Sequence, residues 1–352
     1  MSSPDPYQPL NWRRLMRDVD AAPSVLNTKP WLFECPAADR IELRPDWDRH
    51  LRVIDPRHRE LLISCGAALF NLRMAIRVTG HDPVVWLLPD EQTEGGPECK
   101  HCRDHCGVGD LLASVEIVLA RPRSPTITEQ RMYDAILLRH TVRAPLRHHV
   151  EIGLLAEFER VARLEGARAR LLHPPEARRL LREAARADRR LRGDQMYQHE
   201  LDTWTGKRAP THHGTHLGVP VDNFGPSPKT HHRPLPRRPA PVRNFSLPPP
   251  YQSLDRATLD QREARWFERK PQLIVLETRT DTPTDWIRGG QALQRLLLTA
   301  THFHVKTSFL TQQREFEDRE AEDRDAPSCQ STDQWWPWPR PAQMIIRVGA
   351  LK

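Results

Sequence analysis

The sequence predicts an α+β fold made of two halves, residues 1–125 and 126–352, with an irregular, lid-like insertion in the second. Three observations carry this. Candidate strands are interspersed with helices whose apolar stripe includes small residues. A theme of polar or basic loop, strand, small-residue helix and strand occurs in each half. Residues 205–251 hold many prolines and histidines but no periodic apolar pattern, so they read as a long loop. Identity between the halves is too low to demonstrate a duplication on its own.

In order along the chain, a short helix is expected at 11–20, followed by an irregular proline-bracketed loop at 22–31 and a strand at 41–44. Residues 61–79 have helical apolar spacing, with Gly66, Ala67 and Ala68 near one end, which lets another helix approach closely. Strands at 84–88 and 113–120 flank a Cys/His-rich insert at 91–109. The second half opens with a helix at 126–139. Helices at 150–166 and 175–204 follow, separated by a strand at 169–172. After the 205–251 loop come a strand at 272–277, a small-faced helix at 286–301 and a strand at 344–348.

Hydrophobic residues make up 38% of the 352 and mean hydropathy is -0.66, so parts of the chain must be lid or linker. The 33 prolines against 16 glycines point the same way. No apolar run approaches the ~20 residues that cross a bilayer, and Met1-Ser2-Ser3-Pro4-Asp5 lacks a signal peptide's basic-then-apolar order. A soluble cytoplasmic protein without membrane partners is expected. Six cysteines are too few and too unevenly spaced for a disulfide framework at this size. The net charge of +7 is spread through helices with acidic partners, and no recognition motif accompanies it, so nucleic acid is not an expected partner.

Two runs carry candidate chemistry. In Ala22-Pro23-Ser24-Val25-Leu26-Asn27-Thr28-Lys29-Pro30-Trp31, the prolines prevent regular structure, so Ser24, Asn27 and the intervening amides can turn toward the polar edge of a planar ligand. In Arg139-His140-Thr141-Val142-Arg143, an extended backbone puts Arg139, Thr141 and Arg143 on one side. Two guanidinium forks flanking a hydroxyl suit a phosphate monoester. A tight turn and a solvated basic stretch are the plain alternatives.

These runs, with Asp55-Pro56-Arg57-His58-Arg59-Glu60-Leu61, Ser64 to Arg73, Glu200 to Trp204, Asp285-Trp286, Gly290 to Arg295 and Gln343 to Gly349, resemble the Acg group of the nitroreductase superfamily from about residue 20 onward. The resemblance implies a nitroreductase-like fold of two fused pseudo-symmetric halves, a monomer mimicking a dimer, with one flavin mononucleotide (FMN) between them. It implies that Arg139, Thr141 and Arg143 hold the phosphate and ribityl region, with Arg347 behind or beside them. It places Pro23, Ser24 and Asn27 against the isoalloxazine and ribityl chain, and backbone amides near Thr311 and Gln312 at flavin N5. NAD(P)H would be the hydride donor and a small molecule the acceptor. No catalytic side chain is required, because the flavin carries the chemistry. A flavin store closed by a lid at 205–251 is the alternative.

Two departures stand out. Lys29 replaces a customary glutamine, and the segment 301–305, including His304, replaces a customary glycine beside N5. The reciprocal site is expected to be dead, since the first half has only Arg13, Arg14 and Arg17 at helical spacing. Outside the resemblance, Cys99, Cys102 and Cys106 with His101 and His105 offer thiols and imidazoles in eight residues. No second pair follows at zinc-finger spacing, so zinc is not the favoured reading; a redox-sensitive cluster, in a metal- or redox-sensing protein, and a passive loop remain beside it. The aromatic run Trp335, Trp336 and Trp338 can pack on flavin, on a hydrophobic substrate or on the core.

Overall fold

The computed structural model describes residues 10–89, 109–118, 123–142, 146, 148–205, 211–212, 215–218, 271–311 and 340–350. Its first sheet comprises β1 (Trp31–Ala37), β2 (Arg40–Pro45), β3 (Asp82–Leu87) and β4 (Ala113–Val118), all antiparallel in the order β1-β2-β4-β3. The second comprises β5 (Arg168–Leu171), β8 (Gln272–Glu277), β9 (Lys306–Leu310) and β10 (Ala342–Gly349), antiparallel in the order β5-β8-β10-β9. Each sheet thus takes its strands as first, second, fourth, third. Each also sends out one long helix between its second and third strands: α2 (Arg59–Arg77) and, seventh among the helices of the described residues, α7 (Pro283–His302).

The two helices meet at glycines. A Cβ on Gly66 would lie 2.1 Å from the Ile287 carbonyl oxygen, and one on Gly290 would lie 2.0 Å from that of Ile63. Neither position has room for a side chain. This close crossing is surrounded by a continuous core in which Ile41, Leu43, Val115 and Ile117 of the first sheet join Ile274, Leu276, Ile346 and Val348 of the second. Inside it, Gln294 Nε2 donates to Asn71 Oδ1 (2.7 Å), and Asn71 Nδ2 donates to the Asp18 carbonyl (2.8 Å). That carbonyl belongs to α1 (Trp12–Val19), which leads into the 22–31 loop.

Several helices complete the body. α3 (Ile127–Ala135) opens on a capping box in which Thr126 and Glu129 exchange hydrogen bonds, and α4 (Ile152–Arg163) precedes β5. The expected helix at 175–204 is two helices, α5 (Pro174–Gly193) and α6 (Gln195–Thr203). Asp194 is extended and caps α6 through Tyr197 N. Within the expected loop at 205–251, most of which lies outside the described residues, β6 (Thr211–His212) pairs with β7 (Thr215–His216). Two further strands went unforeseen. β1 is an edge strand with a register shift between Glu34 and Ala37, which tolerates Pro36. β9 is only five residues long and is defined by its pairing with β10. Among the described residues no helix is long and apolar enough to cross a membrane.

Candidate functional site

The proline-bracketed loop is strained. Leu26 (φ 43), Asn27 (φ 55) and Lys29 (φ 49) all adopt left-handed backbone without being glycine. Such conformations cost of order 1 kcal/mol or more each and persist only where neighbours over-determine them. The neighbours are identifiable. Ser24 Oγ accepts from Lys29 N (2.9 Å), its carbonyl accepts from Asn27 N (3.0 Å), and Thr28 N donates to the Val25 carbonyl (2.9 Å). Val25 N donates to Ser64 Oγ (3.2 Å), whose own proton goes to the Glu60 carbonyl (2.7 Å). The amides expected to face outward at 25 and 27–29 are therefore engaged inside the loop and on α2. What the loop offers a ligand is side chains.

Asn27 is half-buried, and its Nδ2 donates to the Gly218 carbonyl (3.0 Å), while Gly218 N donates to the Asn27 carbonyl (3.2 Å). Lys29 does not face solvent: its side chain is 12% exposed and its ammonium lies 3.6 Å from Asp20. Pro23 is half-buried at the loop's start. Behind the loop, Leu26 packs in an apolar cluster with Leu51, Ile54, Leu191, Tyr197, Leu201 and Trp204. Glu200 of α6 fastens this cluster, accepting from Val53 N (2.9 Å) and Ile54 N (2.7 Å) with one carboxylate oxygen.

The basic run is fixed by the second sheet. Thr141 bridges Thr307 in parallel, and Val142 N donates to the Thr307 carbonyl (2.8 Å), so the run extends the β9 edge. Arg139 Nη1 lies 3.5 Å from Thr141 Oγ1, which places those two side chains on one side, as an extended run requires. Arg347 of β10 is 4% exposed and donates to the Val142 carbonyl (3.1 Å), so it braces the run from within the sheet. Thr311 is half-buried just after β9. Arg143 and Gln312 lie outside the described residues, as do Cys99, Cys102, Cys106 and the aromatic run. The structure thus gathers Arg139, Thr141 and Arg347 into one group and Ser24, Asn27 and Lys29 into another, each held by its own elements.

His304 lies just past the last helical residue, His302. It ends α7 in left-handed backbone (φ 57), with its amide donating to Thr301, and Val305 N returns to the Ala300 carbonyl (2.8 Å). The glycine-like conformation is kept by a histidine. The length of β9 separates His304 from Thr311 by roughly 20 Å, so His304 does not adjoin the Thr311 region. Arg14 and Arg17 are likewise structural: Arg14 Nε donates to Tyr133 Oη (2.9 Å) and Arg17 pairs with Asp18 (2.8 Å).

One cluster was missed from sequence. His50 Nε2 lies 2.8 Å from the Asp55 carbonyl and 2.9 Å from His58 Nδ1. Since the carbonyl can only accept, His50 Nε2 carries the proton and shares it between that carbonyl and an unprotonated His58 Nδ1. Trp47 stands edge-on to both rings. Burial, and then the neighbouring His50, pushes the His58 imidazole down to about 3; burial also lowers that of His50. Asp55 meanwhile caps α2, accepting from Glu60 N (3.0 Å) and Leu61 N (2.7 Å). Cys65 is fully buried, which raises its thiol and keeps it protonated. Among the described residues no group of three or more His, Cys, Asp or Glu is placed to hold a metal ion.

Three arginines of the other motifs tie α2 and the turn before it to α7 and β10. Arg57 lies over the Trp286 ring (5.9 Å), Arg59 donates to the Ala342 carbonyl and to Gln343 Oε1 (2.9 Å), and Arg73 donates to Gln291 Oε1 (2.8 Å). No family model matches the chain. A Mycobacterium tuberculosis protein named "Putative NAD(P)H nitroreductase" is 29% identical over 337 residues, covering 93% of this chain and 81% of that one. An uncharacterized protein of the same organism is 26% identical, covering 82% and 75%. The "Putative NAD(P)H nitroreductase acg" of that organism is 26% identical over 293 residues, covering 82% of this chain and 76% of its own. By these likenesses, which extend over most of its length, the chain is similar to proteins named putative NAD(P)H nitroreductases, acg among them.

Proposed function

We propose that the chain is an FMN-dependent oxidoreductase of nitroreductase type, taking hydride from NAD(P)H and reducing a small acceptor. The observation that carries this reading is the pairing of a strained, side-chain-presenting loop with a braced cationic hydroxyl-bearing run, in a chain whose relatives are named putative NAD(P)H nitroreductases. The donor chemistry fits FMN. Arg139 and Thr141 provide a cation and a hydroxyl for a phosphate monoester, and Arg347 keeps the run extended by holding Val142. Asn27 provides amide chemistry for the ring's polar edge. Lys29 is held near that loop by Asp20. The apolar cluster behind Leu26 excludes water from the loop's inner side.

When bound, FMN supplies two-electron chemistry through N5 between a nicotinamide and an acceptor. The chain's part is to bind, orient and shield. Repeated strand order and the reciprocal glycine crossing support two fused nitroreductase-like halves, 1–125 and 126–352, in a monomer that mimics a dimer. One FMN per chain is the reading we favour, because two of the three arginines of α1, Arg14 and Arg17, are engaged by Tyr133 and Asp18. A second reading, flavin storage, draws on the docking of Gly218 and α6 against the loop, with 205–251 as the lid.

The experiment is anaerobic titration of the FMN-loaded protein with NADPH, followed by a quinone or a nitroaromatic compound. Bleaching near 450 nm and its recovery are expected. A flavin that stays oxidised sinks the reductase in favour of the store; a protein that takes up no FMN sinks both.

A further inference from the structure

Asn27 is bound twice by one residue. Its main-chain oxygen accepts from Gly218 N and its side-chain Nδ2 donates to the Gly218 oxygen. A carbonyl oxygen can only accept, so this contact also decides which way the amide is turned: nitrogen toward Gly218, Oδ1 away from it. Gly218 itself sits at φ 80, a backbone that lets both its N–H and its C=O reach Asn27 and that residues other than glycine and asparagine rarely adopt. Its approach is anchored elsewhere. Leu217 is buried in the cluster with Leu26, Tyr197 and Trp204, and Glu200 ties α6 to Val53 and Ile54.

We infer that Gly218 is a positioning residue for the ligand-facing loop: by taking one Nδ2 hydrogen of Asn27, it leaves Oδ1 and the second hydrogen presented together to the polar edge of a planar ligand. This rests on the flavin reading for the ligand's identity, but not for the contact. Asn27 lies in the first half and Gly218 in the second. Orientation of the first half's ligand amide is therefore supplied by the excursion between β5 and β8, and a chain that docks this excursion badly binds ligand weakly even with every residue of the loop intact.

The test uses the full chain, in which Asn27 is one of five asparagines. With asparagine labelled by nitrogen-15, and Asn27→Asp used to assign the signal, the Asn27 side-chain protons should be well separated in the wild type. They should converge in Gly218→Ala and separate again in Gly218→Asn, which tolerates the left-handed backbone. FMN affinity, read by quenching of flavin fluorescence, should fall about tenfold in Gly218→Ala and recover in Gly218→Asn. An unchanged Asn27 signal in Gly218→Ala overturns the inference and leaves the flavin reading standing. So does a loss in Gly218→Ala that Gly218→Asn fails to restore, because that is general damage to packing. A wild-type chain that binds no FMN ends the flavin reading alone, and the Asn27 signal still decides the role of Gly218.

Discussion

Both sheets take their strands in the same order, yet they differ at one connection. In the first sheet, Ala38 and Asp39 alone join β1 to β2; in the second, residues 172–271 separate β5 from β8. The consequence is visible in burial. β2 and β4 alternate buried and open positions, as strands with one solvated face do, and Ile41, Leu43, Ala113, Val115 and Ile117 on their buried face join the core that includes α2. β10 is buried along its whole length. One face of its sheet, with Ile274 and Leu276, joins the common core, while the other, with Leu273, Val275 and Ile345, is covered by Leu180, Leu181 and Ala184 of α5. The excursion that covers the second sheet continues through α6 to the 22–31 loop. A long excursion at one strand connection has thus covered the second sheet and braced a candidate site beside the first.

What the sheets share is the glycine crossing, and breaking it should produce the largest effect. Gly66→Ala or Gly290→Ala drives a methyl group into a backbone carbonyl of the facing helix, and helix backbones cannot yield locally. A loss upwards of about 4 kcal/mol, or failure to fold, is expected in thermal melts. If either variant melted like the wild type, the two helices would not meet as described.

Covering the second sheet predicts the next effect. Leu273→Ala empties a fully buried position between β8 and α5, and should cost roughly 3 kcal/mol. A loss below about 1 kcal/mol by chemical denaturation would mean that α5 does not seal that face.

The histidine pair offers a comparison by pH. The folded His58 near 3 lies below its ordinary 6.5, so between those values the unfolded chain binds the proton that the folded chain refuses. Stability is therefore complete above about pH 6.5 and falls as pH drops, by roughly 2 kcal/mol at pH 5. His58→Asn keeps an acceptor for His50 and tolerates the left-handed backbone at this residue, and it should flatten melting temperature between pH 7 and 5. An equally steep dependence in that variant would assign it to other groups.

Much of this plan was legible in the sequence because it is written in short-range signals. Helical spacing with small residues located α2 and α7, and apolar runs located β2, β3, β4, β8 and β10. The Asp194 break was missed because helical apolar spacing resumes past it at Tyr197, Leu201 and Trp204, although Gly193 followed by Asp194 is a stop and a cap. β1 and β9 depend on partners that only the fold supplies. The site was legible as residue types and not as geometry. Nothing in Ser24 to Lys29 announces three left-handed non-glycine residues, nor that Ser64 and Gly218 would engage them. The same holds for the motif residues: Arg59 with Gln343 and Asn71 with Gln294 are partners more than two hundred residues apart, so the chain showed that they recur as a set while concealing that they pair.

The smallest effect should come from the open face of the first sheet. Trp86 is 53% exposed on the edge strand β3, opposite Ser114, with Val84 two residues away opposite Glu116. An exposed tryptophan contributes little to folding, so Trp86→Ser should change stability by less than about 0.5 kcal/mol, against roughly 3 kcal/mol for Leu273→Ala in the covered sheet. Denaturant melts of the two variants measure the asymmetry directly. A Trp86→Ser loss approaching that of Leu273→Ala would mean that the face bearing Trp86 is covered in solution, and that the two sheets, alike in strand order, are alike in burial as well.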